Sequence, residues 1–99
     1  MTVFAVQEVE GRNLLPAMDF GELEFLLPPT SNIMFASKPA TDRIRYGLRN
    51  FTEDDYLLLI GDPIAIGVAT VFASRNSPTV KFLKWDNREY KYYPVEVEL

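Results

Sequence analysis

The chain of 99 residues is 47% hydrophobic and 24% charged, a composition that makes one compact domain spanning 1–99, with a real core and no room for a second. It contains no cysteine and no histidine, which excludes disulfide staples, thiolate nucleophiles, the usual neutral-pH general base and the commonest zinc ligand. The formal charge of -4 is unevenly spread, because every basic residue except Arg12 lies between Lys38 and Lys91 while Glu8, Glu10, Asp19, Glu22, Glu24, Glu96 and Glu98 crowd the two ends.

In chain order, Thr2 to Val9 opens with Val3, Phe4, Ala5 and Val6 and turns polar toward Gly11, as a first strand does. Gly11-Arg12-Asn13 reads as a turn, and Leu14 to Gly21, with Pro16 and no clean period, as an irregular connection. Leu23, Phe25 and Leu27 then alternate with Glu22, Glu24 and Leu26, the period of a half-buried second strand that ends at Pro28-Pro29. Ile33 to Ala36 is a third strand candidate, joined to the second as a hairpin through Pro28 to Asn32. If the first and last strands lie side by side, the acidic ends gather into one negative edge, a surface that repels nucleic acid and attracts basic proteins.

Pro39 separates this β portion from a short helix over Thr41 to Arg49. Thr41 is its expected cap, Ile44 and Leu48 its buried pair, and Arg45 and Arg49 a second pair four residues apart. Gly47 weakens it by about 1 kcal/mol relative to alanine. Tyr56 to Ile60 is a short continuous apolar run, the pattern of a strand buried on both faces. Asp62 then supplies an N-cap and Pro63 a first helical residue. The helix that follows is expected to face the sheet with Ile64, Val68, Val71, Phe72 and Arg75, to let backbones approach at Ala65 and Ala69, and to come closest at Gly67. Asn76-Ser77-Pro78 stops it. Val80 to Trp85 and Tyr90 to Leu99 form a last hairpin around Asp86 to Glu89, with Pro94 marking an edge strand. The expected fold is α+β, a mostly antiparallel sheet of about five strands with two helices packed on one face, in the order β-β-β-α-β-α-β-β.

Few residues invite chemistry. Glu53, Asp54 and Asp55 form an acidic triplet, but adjacent carboxylates diverge and no metal-loop spacing surrounds them, so helix-start chemistry at Thr52 is the simpler account. Gly61-Asp62-Pro63 sits where a helix start can take an anion, yet Asp62 itself fills those amides and no phosphate-loop pattern is present. No catalytic residue, metal site or cofactor site is assigned, and the protein is read as a non-enzyme. Recognition is better served. Arg43, Arg45 and Arg49 decorate one helix, while Trp85, Arg88, Tyr90 and Tyr92 stand in the last hairpin among Lys81, Lys84 and Lys91. Aromatic and arginine side chains are the strongest interface anchors, and these seven form the expected interface. The same aromatics flanked by cations also suit single-stranded nucleic acid, the second reading, against which the acidic whole-chain charge counts.

At Asp54 to Pro63, at Ala65-Ile66-Gly67-Val68-Ala69, and at Lys81 to Asp86 before Tyr92-Tyr93-Pro94, the chain resembles a family of small uncharacterised proteins of tailed bacteriophages and prophages. The likeness covers roughly the C-terminal half and reaches weakly into Gly21-Glu22-Leu23. It carries over no functional residues. It implies a phage origin and action inside the infected bacterium, hence an accessory protein that binds and modulates a host or phage machine as part of host takeover. The start of the chain lacks the basic and apolar pattern of a secretory signal, and Pro63 to Ser74 is too short to span a bilayer, so the expected location is the host cytoplasm with no membrane partner. A minor virion or assembly protein is a further alternative, and a homodimer through the last hairpin is the expected form of any self-association.

Overall fold

The computed structural model describes residues 1–99. Five strands form one sheet: β1 (Thr2–Gln7), β2 (Glu22–Leu27), β3 (Tyr56–Leu58), β4 (Thr79–Asp86) and β5 (Lys91–Glu98), in the spatial order β2-β1-β3-β4-β5. The β1–β2, β1–β3 and β3–β4 pairs are parallel and only β4–β5 is antiparallel. The class is α+β as expected, but the sheet is mixed rather than mostly antiparallel. The reason lies in β1, where Val3, Phe4, Ala5 and Val6 are all buried. A strand covered on both faces belongs in the middle of a sheet, and its neighbours are reached by crossovers.

The first crossover contains a short 3-10 helix, Leu15–Phe20, where the sequence suggested irregular chain. It lies against one face with Leu14 and Ala17, over Val3, Ala5, Leu58 and Leu83. The opposite face carries α1 (Ser37–Gly47) and α2 (Pro63–Asn76), over Phe4, Val6, Leu57 and Val80. Both helices are therefore on one face, as expected.

The expected third strand at Ile33 to Ala36 does not form. Asn32 competes for the backbone there: its side chain accepts from Met34 N at 3.1 Å and its carbonyl from Ala36 N at 2.9 Å, which coils the segment into turns. Ile33 alone is buried, while Met34 and Phe35 face solvent. Helix α1 then begins at Ser37, four residues ahead of Thr41, because Pro39 falls in its first turn, where a missing N–H costs nothing. Ile44 and Leu48 are fully buried, as their spacing required.

Asp62 caps α2 by accepting from Ile64 N at 2.8 Å, with Pro63 at the first helical position. Its inner face, however, is Ala65, Ala69, Phe72 and Ala73. Alanines four residues apart bring the helix backbone close to the sheet, and the larger Ile64 and Val71 are turned outward. Gly67 is on that outer side as well, with nothing within 4 Å of where a Cβ would stand, so it is not the point of closest approach. The acidic ends do not merge either. β2 and β5 are opposite edges of the sheet, which separates Glu22 and Glu24 from Glu96 and Glu98. Pro94 does sit on an edge strand, opposite Leu83.

Candidate functional site

Four places collect the residues that could act. The first is set by topology. The chain leaves β1 toward β2 and returns past it to β3, so the strand order reverses at β1; open sheets with parallel strands hold ligands outside the carboxyl ends at such a reversal. A crevice of about 790 Å³ lies there, bordered by Glu8, Glu10, Arg12, Thr30 and Asp62. Its floor is tied shut by Gln7. The Gln7 amide nitrogen donates to Ser31 O at 2.9 Å and Pro28 O at 3.4 Å, and its Oε1 accepts from Asp62 N at 3.0 Å. Gly61, at φ 112°, lies so close that a Cβ would stand 2.4 Å from Gln7 Cβ. The free amides of α2 are partly taken by Asp62, and no three acidic side chains anywhere in the chain gather as a metal-holding group. The floor of the crevice is thus a junction held by Gln7 and Asp62.

The second place is the acidic triplet at the opposite end of the strands. Asp55 is buried, and both oxygens are used: Oδ1 accepts from Thr2 N at 2.9 Å, while Oδ2 accepts from Thr52 N at 2.9 Å and Thr52 Oγ1 at 3.2 Å. This carboxylate ties the start of β1 to the start of β3. Glu53 and Asp54 face solvent.

The third is the tip of the last hairpin. Pairing of β4 with β3 stops at Leu83, while pairing with β5 runs on to Asp86, so the end of β4 has a neighbour on one side only. An apolar hollow of about 440 Å³ opens beside it, between Leu58–Ile60 and Phe82–Trp85. Trp85 is 37% exposed and packs edge-on against Tyr92, with ring centroids 4.9 Å apart. Tyr92 is only 8% exposed, and burial pushes its hydroxyl pKa up against a weaker opposing pull from Arg12. Tyr92 holds the strand end and offers little to a partner. Tyr90 stands free at the turn with φ 54°, beside an exposed Arg88. Tyr93 donates to Glu89, which also pairs with Lys91 at 3.4 Å; the two contacts, the tyrosine's first, lower the Glu89 pKa.

The fourth lies on the outside of the helices. Helix α2 carries no charge before Arg75, and its polar side chains before that point are Thr70 and Ser74, whose hydroxyls donate to Ile66 O and Val71 O; so apolar a helix is normally covered on most of its sides. Here only one side is covered, leaving Ile64 60% and Val71 48% exposed on either side of the bare Gly67. The stripe runs into Arg75, whose guanidinium carbon lies 5.3 Å from the centroid of the Phe72 ring. Arg45 reaches the same ring from α1, at 4.9 Å. Arg49 completes a hollow of about 310 Å³ with them, held over Tyr46 at 3.8 Å and donating to Tyr46 O at 2.7 Å. Asn76 donates to Leu48 O at 2.8 Å and fixes the two helix ends together. Asp42 pairs with Arg45 and Lys38, each at 2.9 Å, and its pKa is lowered chiefly by the Lys38 hydrogen bond. Neither Arg49 nor Arg75 has a carboxylate partner.

The seven expected interface residues are thus divided. Arg45 and Arg49 converge; Arg43 points away into a separate hollow with Glu24 and Tyr46; Trp85, Arg88, Tyr90 and Tyr92 belong to the hairpin tip. Arg75 was missed, although it stands three residues after Phe72 at the end of the one uncharged helix, a spacing that puts both on neighbouring faces.

Fold and surface together define a small α+β protein with a mixed five-stranded sheet and an open helical face. The chain belongs to the Phage Pam3 gp32-like protein family, whose model matches residues 1–99. No curated protein and no solved structure matches it. No helix is long and apolar enough to cross a membrane.

Proposed function

We propose that this phage protein is a non-enzymatic accessory binder that docks through the outer face of α2 on a protein machine of host or phage, in the cytoplasm of the infected bacterium. The observation that carries the reading is the uncovered apolar stripe of Ile64, Gly67 and Val71 on a helix with no charged residue before Arg75. Apolar helical faces of this kind are laid into partners as i, i+3, i+4, i+7 anchors. Gly67 adds to it: a glycine inside a helix costs about 1 kcal/mol relative to alanine, and no neighbour within the chain needs its missing side chain. The family membership supports the setting.

Replacing both Ile64 and Val71 by aspartate tests the reading. These side chains lie outside the core, so the double variant is expected to keep its circular dichroism spectrum and thermal midpoint. It should lose the stoichiometric protein that the parent chain retains from infected cells. Retention of that protein by the folded double variant overturns the docking face, and recovery of the chain in purified particles would point to a virion role instead.

A further inference from the structure

We propose that the hollow of Arg45, Arg49 and Arg75 over the Phe72 ring is a receptor for carboxylate side chains, so that the segment docking on α2 is an acidic peptide with apolar residues next to its Asp or Glu. The inference rests on the docking reading above and names the chemistry of the partner. Three guanidinium groups share one small hollow between two helix ends that Asn76 locks together. The carbonyl ends of both helices offset part of this charge, and Asp42 pairs with Arg45 alone among the three. Arg49 and Arg75 keep donors without an acidic partner, although the chain holds 14 acidic residues. A guanidinium fork matches a carboxylate in paired hydrogen bonds, and the match strengthens where an apolar floor excludes water. Phe72, almost wholly buried, is that floor.

The surroundings favour a peptide over a nucleic acid. A strand of nucleic acid needs a track of cations and open aromatic faces for its bases. Here two guanidiniums occupy the Phe72 ring, Arg49 covers Tyr46, and the surface continues along α2 as Ile64, Gly67 and Val71. An apolar continuation is of use to side chains and of none to a phosphate backbone. The net charge of -4 also opposes the approach of a polyanion from a distance.

The test uses the whole chain with labelled arginine side chains, followed by NMR. The probe is a synthetic amphipathic peptide with leucines one helical turn apart followed by glutamates; its controls are the same peptide with glutamine in place of glutamate, an oligothymidylate and inorganic phosphate. The expected result is saturable shifts at Arg45, Arg49 and Arg75 but not at Arg43 or Arg88, at least about tenfold weaker binding of the glutamine peptide, and a similar loss in the Arg49→Gln/Arg75→Gln variant. Arg49→Lys/Arg75→Lys keeps the charge without the fork and should fall between. Absence of shifts, equal shifts at all arginines, equal binding of the two peptides, or tighter binding of oligothymidylate overturns the proposal. If the glutamine variant keeps the cellular partner that the Ile64→Asp/Val71→Asp variant loses, the docking face stands and the carboxylate receptor falls.

Discussion

The crevice at the carboxyl ends of β1 and β3 and the outer face of α2 are two open regions of this fold, and they are finished in different ways. On the crevice floor the polar groups are bound within the chain: Gln7 joins Pro28, Ser31 and Asp62, and Asp62 serves Ile64. On α2 the chain leaves Ile64 and Val71 uncovered, and where α1 and α2 end it leaves Arg49 and Arg75 without carboxylates. At the position that strand order marks for a ligand the floor is bound up by Gln7 and Asp62, while the surface that topology does not mark carries the uncovered apolar stripe.

The largest expected effect breaks the closed side of this contrast. Gly61→Val puts a branched side chain at φ 112° and drives a Cβ into Gln7, whose own Cβ belongs to β1; strain and clash together should cost about 3 kcal/mol or more in denaturant unfolding. A cost under about 1 kcal/mol would mean that the crevice is soft and able to open for a ligand. Gln7→Ala should follow at about 2 kcal/mol, because it strands Asp62 N and two carbonyls together. On the open side the sign reverses. Gly67→Ala should raise stability by about 0.5–1 kcal/mol, since the new methyl meets nothing. The same substitution should weaken partner binding, because the methyl stands where the partner approaches.

The smallest effect appears only in alkali. Burial raises the Tyr92 pKa in the folded state, so its contribution to stability is complete below the ordinary tyrosine value of about 10 and is lost as pH climbs through the raised folded value. Absorbance titration of tyrosinate should therefore show a late-ionising component that Tyr92→Phe removes, with the unfolding midpoint of the parent chain falling over that range. An unchanged titration in Tyr92→Phe at high pH would place Tyr92 in water and detach the hairpin tip from the core.

What was legible in the sequence was local. Asp62-Pro63 fixed the start of α2 because a cap and a first-turn proline act on their own residues, and Pro94 marked an edge strand because a missing N–H has the same meaning everywhere. The pairing of strands was harder. Val3 to Val6 is as continuous an apolar run as Tyr56 to Ile60, and both signal strands covered on two faces; reading only the second that way led to antiparallel neighbours for β1. Ile33 to Ala36 resembled a strand by composition, but the Asn32 hydrogen bonds decide it, and those depend on geometry. The inner face of α2 differs from the expected one for a physical reason: a helix with no charge before Arg75 has little period to show which side packs, and the small Ala65, Ala69 and Ala73 face inward because they let the backbone come nearest. Arg45 and Arg49 were visible as a pair, while their meeting with Arg75 needed α1 and α2 to end side by side.

The central claim is that recognition uses the outer face of α2 and not the crevice. A photo-crosslinking amino acid at position 71, compared with the same group at position 30 on the crevice rim, tests it in infected cells. The account predicts one defined protein adduct from position 71, re-formed with the purified partner and diminished by Arg49→Gln/Arg75→Gln, with none from position 30. A defined adduct from position 30 and none from position 71 would contradict it.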